Sequence, residues 1–376
     1  MRIIRLDPEN KRQVGEFLDL PFFLYRDCPQ WVPPLASDVR AMLDRRRHPF
    51  YRHSDAAFFL AYDATGRAAG RIAALDNRHY NEFNSEHSAF FYLFECENDS
   101  ATANALFEAA GEWAQARTLN RLLGPKGFTT LDGMGLLVRG FHHRPALGIP
   151  YNPEYYPRLV EESGFQVTSE IVSGYLSGEA RLPEKIHRIA EIVERTRGLR
   201  VLSFRSRSEL AAVVPRLQKL YNDSLAGTTG NTPLTDDEAR TMANQMLWFA
   251  DPRLIKIIVK REEPVGFLFA YPDISAALQR TRGRLFPLGW IDLLLELRRT
   301  KWVNINGAGI TEKYRGLGGT AILFDEMEKS IRAGGFEHAE LVQIGVENDK
   351  MQRELRDLGI DFYKMHRMYM KELTVK

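Results

Sequence analysis

The sequence predicts an α/β protein with a mixed sheet, built as two tandem copies of one unit. Three observations carry this. The order strand, helices, hairpin, strand, helix, strand, helix, strand is written twice along the 376 residues. A local echo at an offset of roughly 196 residues joins the copies, Asn152 with Leu159 to Phe165 against Asn348 with Leu355 to Ile360, and a repeat that long means duplicated domains rather than a solenoid. In the second copy an extended run, Trp302 to Asn306, leads through a glycine-rich turn into a helix-like segment. The expected boundaries are residues 1–177 for the first domain, 178–200 for a helical connector and 201–376 for the second domain.

In the first copy Ile3 to Leu6 reads as a strand and Asn10 to Leu20 as a helix through Val14, Phe17 and Leu18. Residues 21–50 are irregular and aromatic. Ala57 to Tyr62 and Ala69 to Leu75 flank Asp63-Ala64-Thr65-Gly66, which is a hairpin pattern. Ala89 to Phe94 is a further strand. Residues 101–119 form an amphipathic helix with Asp99 or Ser100 at its N-cap. Residues 124–157 are rich in Gly and Pro, and a loop of that length inside a compact domain is often functional. A short helix ends at Ser163-Gly164-Phe165, and a strand runs through Val172.

Pro183 to Arg197 reads as the connecting helix. The second copy opens with Val201 to Phe204, with helices near 208–226 and 235–249; Asp236-Asp237-Glu238 suits a helix N-terminus. Leu254 to Val259 and Val265 to Ala270 form a second hairpin. Residues 284–300 carry an apolar helix flanked by arginines, a lid or a docking element; Asp292 and Glu296 on it argue against membrane contact. Then come Trp302 to Ile310, the glycine turn, a helix, Ala339 to Val346, a helix over 349–358 and a last strand, Tyr363 to Met370.

The chemistry concentrates in Tyr314-Arg315-Gly316-Leu317-Gly318-Gly319-Thr320. Downstream, Leu323, Phe324, Met327 and Ile331 share a helical face, Asp325/Lys329 and Glu328/Arg332 are i,i+4 pairs, and Gly334-Gly335 stops the helix. Three glycines in four residues let the backbone approach a ligand, and the helix N-terminus and Arg315 add positive charge, which suits a phosphate. The turn is not a Walker A loop, which needs Gly-Lys-Ser/Thr, nor a Gly-x-Gly-x-x-Gly dinucleotide fingerprint. It resembles motif A of the GCN5-related N-acetyltransferases, the GNAT superfamily, an Arg/Gln-x-x-Gly-x-Gly/Ala turn after a strand. Arg315 and Gly318 match, and Thr320 stands where the family has Gly or Ala.

The resemblance implies two tandem GNAT-like domains, each a mostly antiparallel twisted sheet flanked by helices. It implies acetyl-CoA as co-substrate, held by Ile310, Thr311, Arg315, Gly316, Leu317, Gly318, Gly319 and Thr320, with Asn348 on the pantetheine arm. It implies direct attack by an amine, helped by a main-chain donor near Gly309-Ile310-Thr311. The family's usual tyrosine acid falls on Leu355, so Tyr363 or Tyr314 would replace it, and Glu312 is the candidate base. Asn304 and Asn306, polar residues on one face of a strand, are candidate substrate contacts. In the first copy Glu95, Glu97 and Asp99 replace the glycine turn, and their charge argues against a pyrophosphate there. The expected activity is an acyl-CoA-dependent N-acyltransferase that moves an acetyl group from acetyl-CoA to a small-molecule or peptide amine. The alternatives are a Fem-like aminoacyl-tRNA-dependent transferase and a non-catalytic CoA or metabolite binder.

Bulk properties set the remaining expectations. A formal charge of +2 gives no electrostatic reason to bind nucleic acid. Cys28 and Cys96 cannot build a disulfide framework, and His142-His143 lacks partners at metal spacing, so no metal is expected. The opening residues show no secretory pattern and no apolar run spans a bilayer, so a cytoplasmic protein without membrane contact, in a possible homodimer, is expected.

Overall fold

The structure, a computed structural model, describes residues 1–129, 132–226, 231–347 and 349–374, without the side chains at 245 and 349–351. The apolar runs of the first half become β1 (Arg2–Arg5), β2 (Asp55–Tyr62), β3 (Ala68–Asp76), β4 (Ser88–Cys96), β5 (Arg121–Gly124), β6 (Leu136–Arg139) and β7 (Gln166–Ser177). The segments with helical stripes become α1 (Lys11–Leu24), α2 (Ala36–Leu43), α3 (Arg78–Asn84), α4 (Ser100–Gln115) and α5 (Tyr156–Glu162). Asn10 caps α1 and Asp99 caps α4 through side-chain oxygens, as Ncap residues do. The connector is α6 (Glu184–Arg197), ended by Gly198 at φ +63°.

The second half carries β8 (Leu199–Leu202), α7 (Arg207–Leu225), α8 (Asp236–Leu247), β9 (Ile255–Lys260), β10 (Glu263–Pro272), α9 (Ser275–Thr281), α10 (Gly289–Arg299), β11 (Trp302–Ile310), α11 (Gly319–Ala333), β12 (His338–Gly345), α12 (Asp349–Asp357) and β13 (Asp361–Glu372). Thr235 and Glu238 form a capping box at α8. The pairs Asp325–Lys329, at 2.7 Å, and Glu328–Arg332, at 3.2 Å, form on α11 as its spacing predicts. The short elements α2, α3, α9 and β6 lack a strong periodic signal in the sequence. Tertiary contacts hold them, as with Asn84 of α3, whose Nδ2 donates to Asn231 O at 3.2 Å.

The thirteen strands among the described residues form one mixed sheet, in the order β1-β2-β3-β4-β5-β13-β7-β12-β11-β10-β9-β8, with β6 on β13. The closing strands are exchanged. β13, from the C-terminal end, lies beside β5 of the first half, and β7 of the first half lies beside β12 of the second. The two then pair with each other antiparallel over most of their length. The sheet is therefore continuous across the molecule, and each half is completed by the other's last strand.

In each half two parallel neighbours pair only at their starts. β4 meets β5 at Ser88–Phe90 with Arg121–Leu123, and β11 meets β12 at Trp302–Ile305 with His338–Leu341. Beyond these residues the strands diverge into a fork. Around the second fork the faces alternate with the strand period. Val303, Ile305, Ala339 and Leu341 join the core that includes Ile322, Leu323 and Met327 of α11. Asn304, Asn306 and Glu340 point to the opposite face, where residues 140–150 of the first half dock.

A buried ion pair fastens that docking. Lys364 Nζ of β13 donates to both carboxylate oxygens of Glu340 on β12, at 2.8 and 3.0 Å, and to Arg144 O at 2.6 Å. Both side chains are almost fully buried, 1% and 2% exposed. Removing one partner leaves the other charge buried and unpaired. Lys364→Met is expected to cost about 3–5 kcal/mol in urea unfolding, with most of the loss recovered in Lys364→Met/Glu340→Leu. A single-variant loss below about 1 kcal/mol would show that the pair is not what holds this junction.

Candidate active site

The fork between β11 and β12 opens onto the glycine turn. In β11 the residues past the divergence are Gly307, Ala308 and Gly309, and Gly307 and Ala308 are solvent-exposed although the strand is interior to the sheet. A register shift between Leu268 and Ala270 bulges the β10–β11 ladder there, and Gly307 takes φ +100°. Thr311 N donates to Val265 O at 3.0 Å, which sets the alternation of the ladder. The amides of Gly309 and Thr311 face β10, so those of Ala308 and Ile310 face the fork. The Thr311 hydroxyl also donates to Val265 O, at 3.2 Å. Thr311 therefore has no donor directed at the fork, and of the expected pair only Ile310 presents its amide there.

The turn beyond it is shaped for an anion. Gly316 and Gly318 take φ +73° and +83°, and Gly318 is the Ncap of α11 with no side-chain capping bond. The first-turn amides of Gly319 and Thr320 thus lie at an uncapped, positively polarised helix end. A Cβ on Gly318 would sit 2.6 Å from Val193 Cγ2 of α6, so this glycine serves packing as well as φ. At Gly316 a Cβ would meet nothing within 4 Å. Leu317 is half-buried beside them. The Arg315 guanidinium turns back from the loop: Nε donates to Ile310 O at 3.1 Å and Nη2 to Ser224 O at 3.0 Å. Its role in the structure is to brace the end of β11 against α7, which sequence reasoning did not anticipate. Asn348 lies outside the described residues.

The proposed chemical residues do not gather in one place. Glu312 is exposed on the 3-10 turn that leaves β11, and Tyr314 packs against the α11 side of the sheet with the Lys260 ammonium 5.7 Å from its ring centroid. Tyr363 lies on the other side. A register shift between Phe362 and Lys364 puts consecutive side chains on one face of β13, so Tyr363 and Lys364 both reach Glu340. The His143 ring centroid is 4.6 Å from that of Tyr363. Glu312 and Tyr314 are thus separated from Tyr363 by much of the length of β11, about 20 Å at roughly 3.3 Å per residue.

The two asparagines do belong to the Tyr363 face. Asn304 is fully buried, donates Nδ2 to Asp273 Oδ2 at 2.8 Å, and leaves Oδ1 without a partner. Asn306 Nδ2 donates to Tyr271 OH at 3.0 Å, and Tyr271 OH donates to Leu147 O at 3.3 Å. Arg144 lies 3.5 Å from Asp273 Oδ1. His366 donates Nε2 to Pro150 O at 3.0 Å, which leaves Nδ1 an unpaired acceptor; burial depresses its pKa to about 4, so the ring is neutral. Burial raises the Glu340 carboxyl and lowers the Lys364 ammonium, drawing both toward neutrality. Asp273, Glu340, Lys364, Tyr271, Arg144 and His366 were missed from the sequence. A signal was present, since Glu340 interrupts an apolar strand and Lys364 and His366 alternate on another.

The first half lacks both features. Its α4 N-terminus is occupied by Asp99, whose Oδ2 accepts from Thr102 N at 2.9 Å. Its fork is filled. Glu95 accepts from Tyr25 OH at 2.9 Å and Tyr156 OH at 2.8 Å, beside buried Arg71, and Cys96 N donates to Tyr156 OH at 2.9 Å. Burial and three neighbouring acids keep the Cys96 thiol protonated.

The expected fold can now be compared with known structures. A tandem GNAT protein from the clavulanic acid biosynthesis pathway superposes with TM-score 0.57 at 12% identity, covering 99% of this chain and 98% of that one. The chain has the tandem GNAT fold. A GCN5-related N-acetyltransferase from Sphaerobacter thermophilus gives TM-score 0.54 at 14% identity, over 99% and 95% of the two chains. In sequence, a bacterial ceramide synthase of Caulobacter vibrioides (strain NA1000 / CB15N) is 28% identical over 371 residues, 96% of this chain and 95% of that protein. Protein YghO of Escherichia coli (strain K12) is 24% identical over 376 residues, 97% and 94% of the two. No family model matches the sequence.

The open geometry at Gly316 makes it the place to test the turn for anion binding. Gly316→Asp is expected to weaken acyl-CoA binding at least tenfold relative to Gly316→Asn, which shares its shape and backbone strain without the charge. Calorimetric titration of both variants reads this directly, and equal affinities would place the phosphates elsewhere. Gly318 is unsuitable for the same test because any side chain there collides with α6.

Proposed function

We propose that this protein is an acyl-CoA-dependent N-acyltransferase whose cofactor lies in the second fork. The observation that carries the proposal is the contrast between the forks. The second opens at Gly307-Ala308 onto an uncapped helix N-terminus, whereas the first is plugged by Tyr25, Glu95 and Tyr156 and capped by Asp99. Gly316 to Thr320 would hold the pyrophosphate on main-chain amides. The amides of Ala308 and Ile310 would stabilise the oxyanion that forms when a nucleophile adds to the thioester carbonyl.

The acceptor would approach from the Asn304–Tyr363 face. There the amine nitrogen forms the new C–N bond, the C–S bond breaks, the nitrogen loses one proton and the departing sulfur takes one up. Asn306, partly exposed and two residues nearer the opening of the fork than the fully buried Asn304, would meet the amine N–H. Tyr363 and the Glu340–Lys364 pair, which burial draws toward neutrality, are the proposed proton route. Glu312 and Tyr314 are left out of this scheme because Glu312 is solvent-exposed on the turn and Tyr314 packs on the α11 side, both off the Asn304–Tyr363 face.

Two acyl donors come into question. The GNAT fold supports acyl-CoA in general, and acetyl-CoA is the donor the sequence resemblance implies. The likeness to a protein named a ceramide synthase supports a longer acyl group and a long-chain amino alcohol, because a ceramide is the amide of those two components. We favour the longer pair, since that likeness spans nearly the whole of both chains.

The test is thiol release from acetyl-, octanoyl- and palmitoyl-CoA with amines graded from ethanolamine to sphinganine. Release that requires both an acyl-CoA and an amine is the expected result, and binding of acyl-CoA without release from any pair would overturn it. Tyr363→Phe is expected to lower kcat about 100-fold with acyl-CoA affinity unchanged. An unchanged kcat would remove Tyr363 from the proton route.

A further inference from the structure

α9, α10 and the turn between them form an insert between β10 and β11, and its outer surface is apolar. Phe286 is 81% exposed and Leu288 67%, and Trp290, Ile291, Leu294 and Leu295 continue the patch along α10. These four lie at i, i+1, i+4 and i+5, one side of the helix. The other side is buried: Leu293 is fully enclosed, and Leu285 and Leu297 pack with it against Trp248 and Leu147. The outward apolar stripe is therefore not a core face that happens to be uncovered. It is a second apolar face on a helix whose first is already satisfied.

The charges around it have one sign. Residues 280–301 hold six basic side chains, at 280, 282, 284, 298, 299 and 301, and two acidic ones, Asp292 and Glu296, an excess of four positive charges. Both acids are taken up by a single arginine: Arg280 donates to Asp292 at 2.9 Å through Nε and Nη2 and to Glu296 at 2.5 Å. In sequence these acids argue against a membrane, but in the structure Arg280 holds both on the flank of α10, with Arg299 acting on Asp292 as well, so neither faces outward unpaired. Arg284 pairs with Asp19 at 3.5 Å and Lys301 with Glu337 at 3.2 Å, whereas Arg282, Arg298 and Arg299 are exposed and make no salt bridge among the described residues. Exposed Phe, Leu, Trp and Ile framed by uncompensated arginines is the composition of an interfacial helix. None of the described helices is long and apolar enough to cross a bilayer, so contact would be at the surface.

We propose that the α9–α10 insert docks the protein on the interface of an anionic phospholipid bilayer. Phe286 and Leu288 enter the headgroup–acyl boundary, with Trp290 at its edge, and Arg282, Arg298 and Arg299 meet the lipid phosphates. The insert's inner face reaches Leu147, whose carbonyl accepts from Tyr271 in the Asn306 network. The docked surface thus adjoins the proposed acceptor face. Docking is read by binding alone and does not rest on the acyl-transfer proposal.

The experiment is co-flotation of the full chain with vesicles of 30% phosphatidylglycerol in phosphatidylcholine and with pure phosphatidylcholine. Wild type is expected to float with the anionic vesicles, more weakly at 500 mM salt than at 50 mM. Phe286→Ser/Leu288→Ser, at two exposed turn positions, and Arg298→Glu/Arg299→Glu are each expected to reduce partitioning more than tenfold. Circular dichroism and melting temperature identify any variant that fails to fold. The proposal is overturned if wild type ignores both vesicles, if the folded variants bind as well as wild type, or if the patch instead mediates dimerisation. That last case would appear as a concentration-dependent dimer, in sedimentation without lipid, that Phe286→Ser/Leu288→Ser abolishes.

Discussion

The exchange of β7 and β13 is the constraint on which the rest depends. Each is a 12-residue strand, and each supplies the edge that the other half's parallel pair would otherwise leave open. An unpaired edge is costly and prone to aggregation, so neither half is a finished sheet alone. The exchange also fixes geometry. Because β13 lies between β5 and β7, its side chains reach loops of the first half while its own turn and helix belong to the second. Lys364 can then touch Glu340 of β12 and Arg144 of the first half at once.

This brings the long first-half loop onto the polar face of the second fork. Residues 132–150 have little secondary structure of their own apart from β6, and the second half holds them. Gln343 of β12 both donates to and accepts from the Met134 backbone, at 2.7 and 3.1 Å, and His366 and Tyr271 bond the carbonyls of Pro150 and Leu147. The loop covers a face of the second fork that a single domain would leave to solvent. On that face a carboxylate, a lysine, an amide and a tyrosine are all desolvated, and desolvation is what moves Glu340 and Lys364 from their ordinary values.

The fold was legible in the sequence where the pattern was local. The long strands, α4, α11 with its ion pairs and glycine stop, and the doubled order of elements all come from periodicity and caps. The glycine turn was legible for the same reason, since Gly316 and Gly318 do take positive φ. The strand exchange was not, because β7 and β13 read as ordinary closing strands whichever half they enter. The polar face was only half legible. Asn304 and Asn306 stand out within one strand, but Asp273, Glu340, Lys364 and Arg144 come from four separate segments. Thr311 and Arg315 fit a motif by spacing, yet one is absorbed by the β10 ladder and the other braces the turn. A motif fixes backbone position better than it fixes where a side chain points.

Two copies of one fold need differ at few positions to differ in capacity. At α11 the cap is Gly318, which has no side chain, so the helix end stays open to an anion; at α4 it is Asp99, which supplies the anion from within. In one fork Gly307 and Ala308 leave room between the strands; in the other Tyr156 reaches across to Glu95 and the Cys96 amide. The closed fork is still useful. By filling itself with buried hydrogen bonds the first half becomes a rigid support, and its loop can be held against the second fork with little conformational freedom left to lose on binding. One copy's fork is closed by its own side chains, and its loop forms part of the wall around the other's fork.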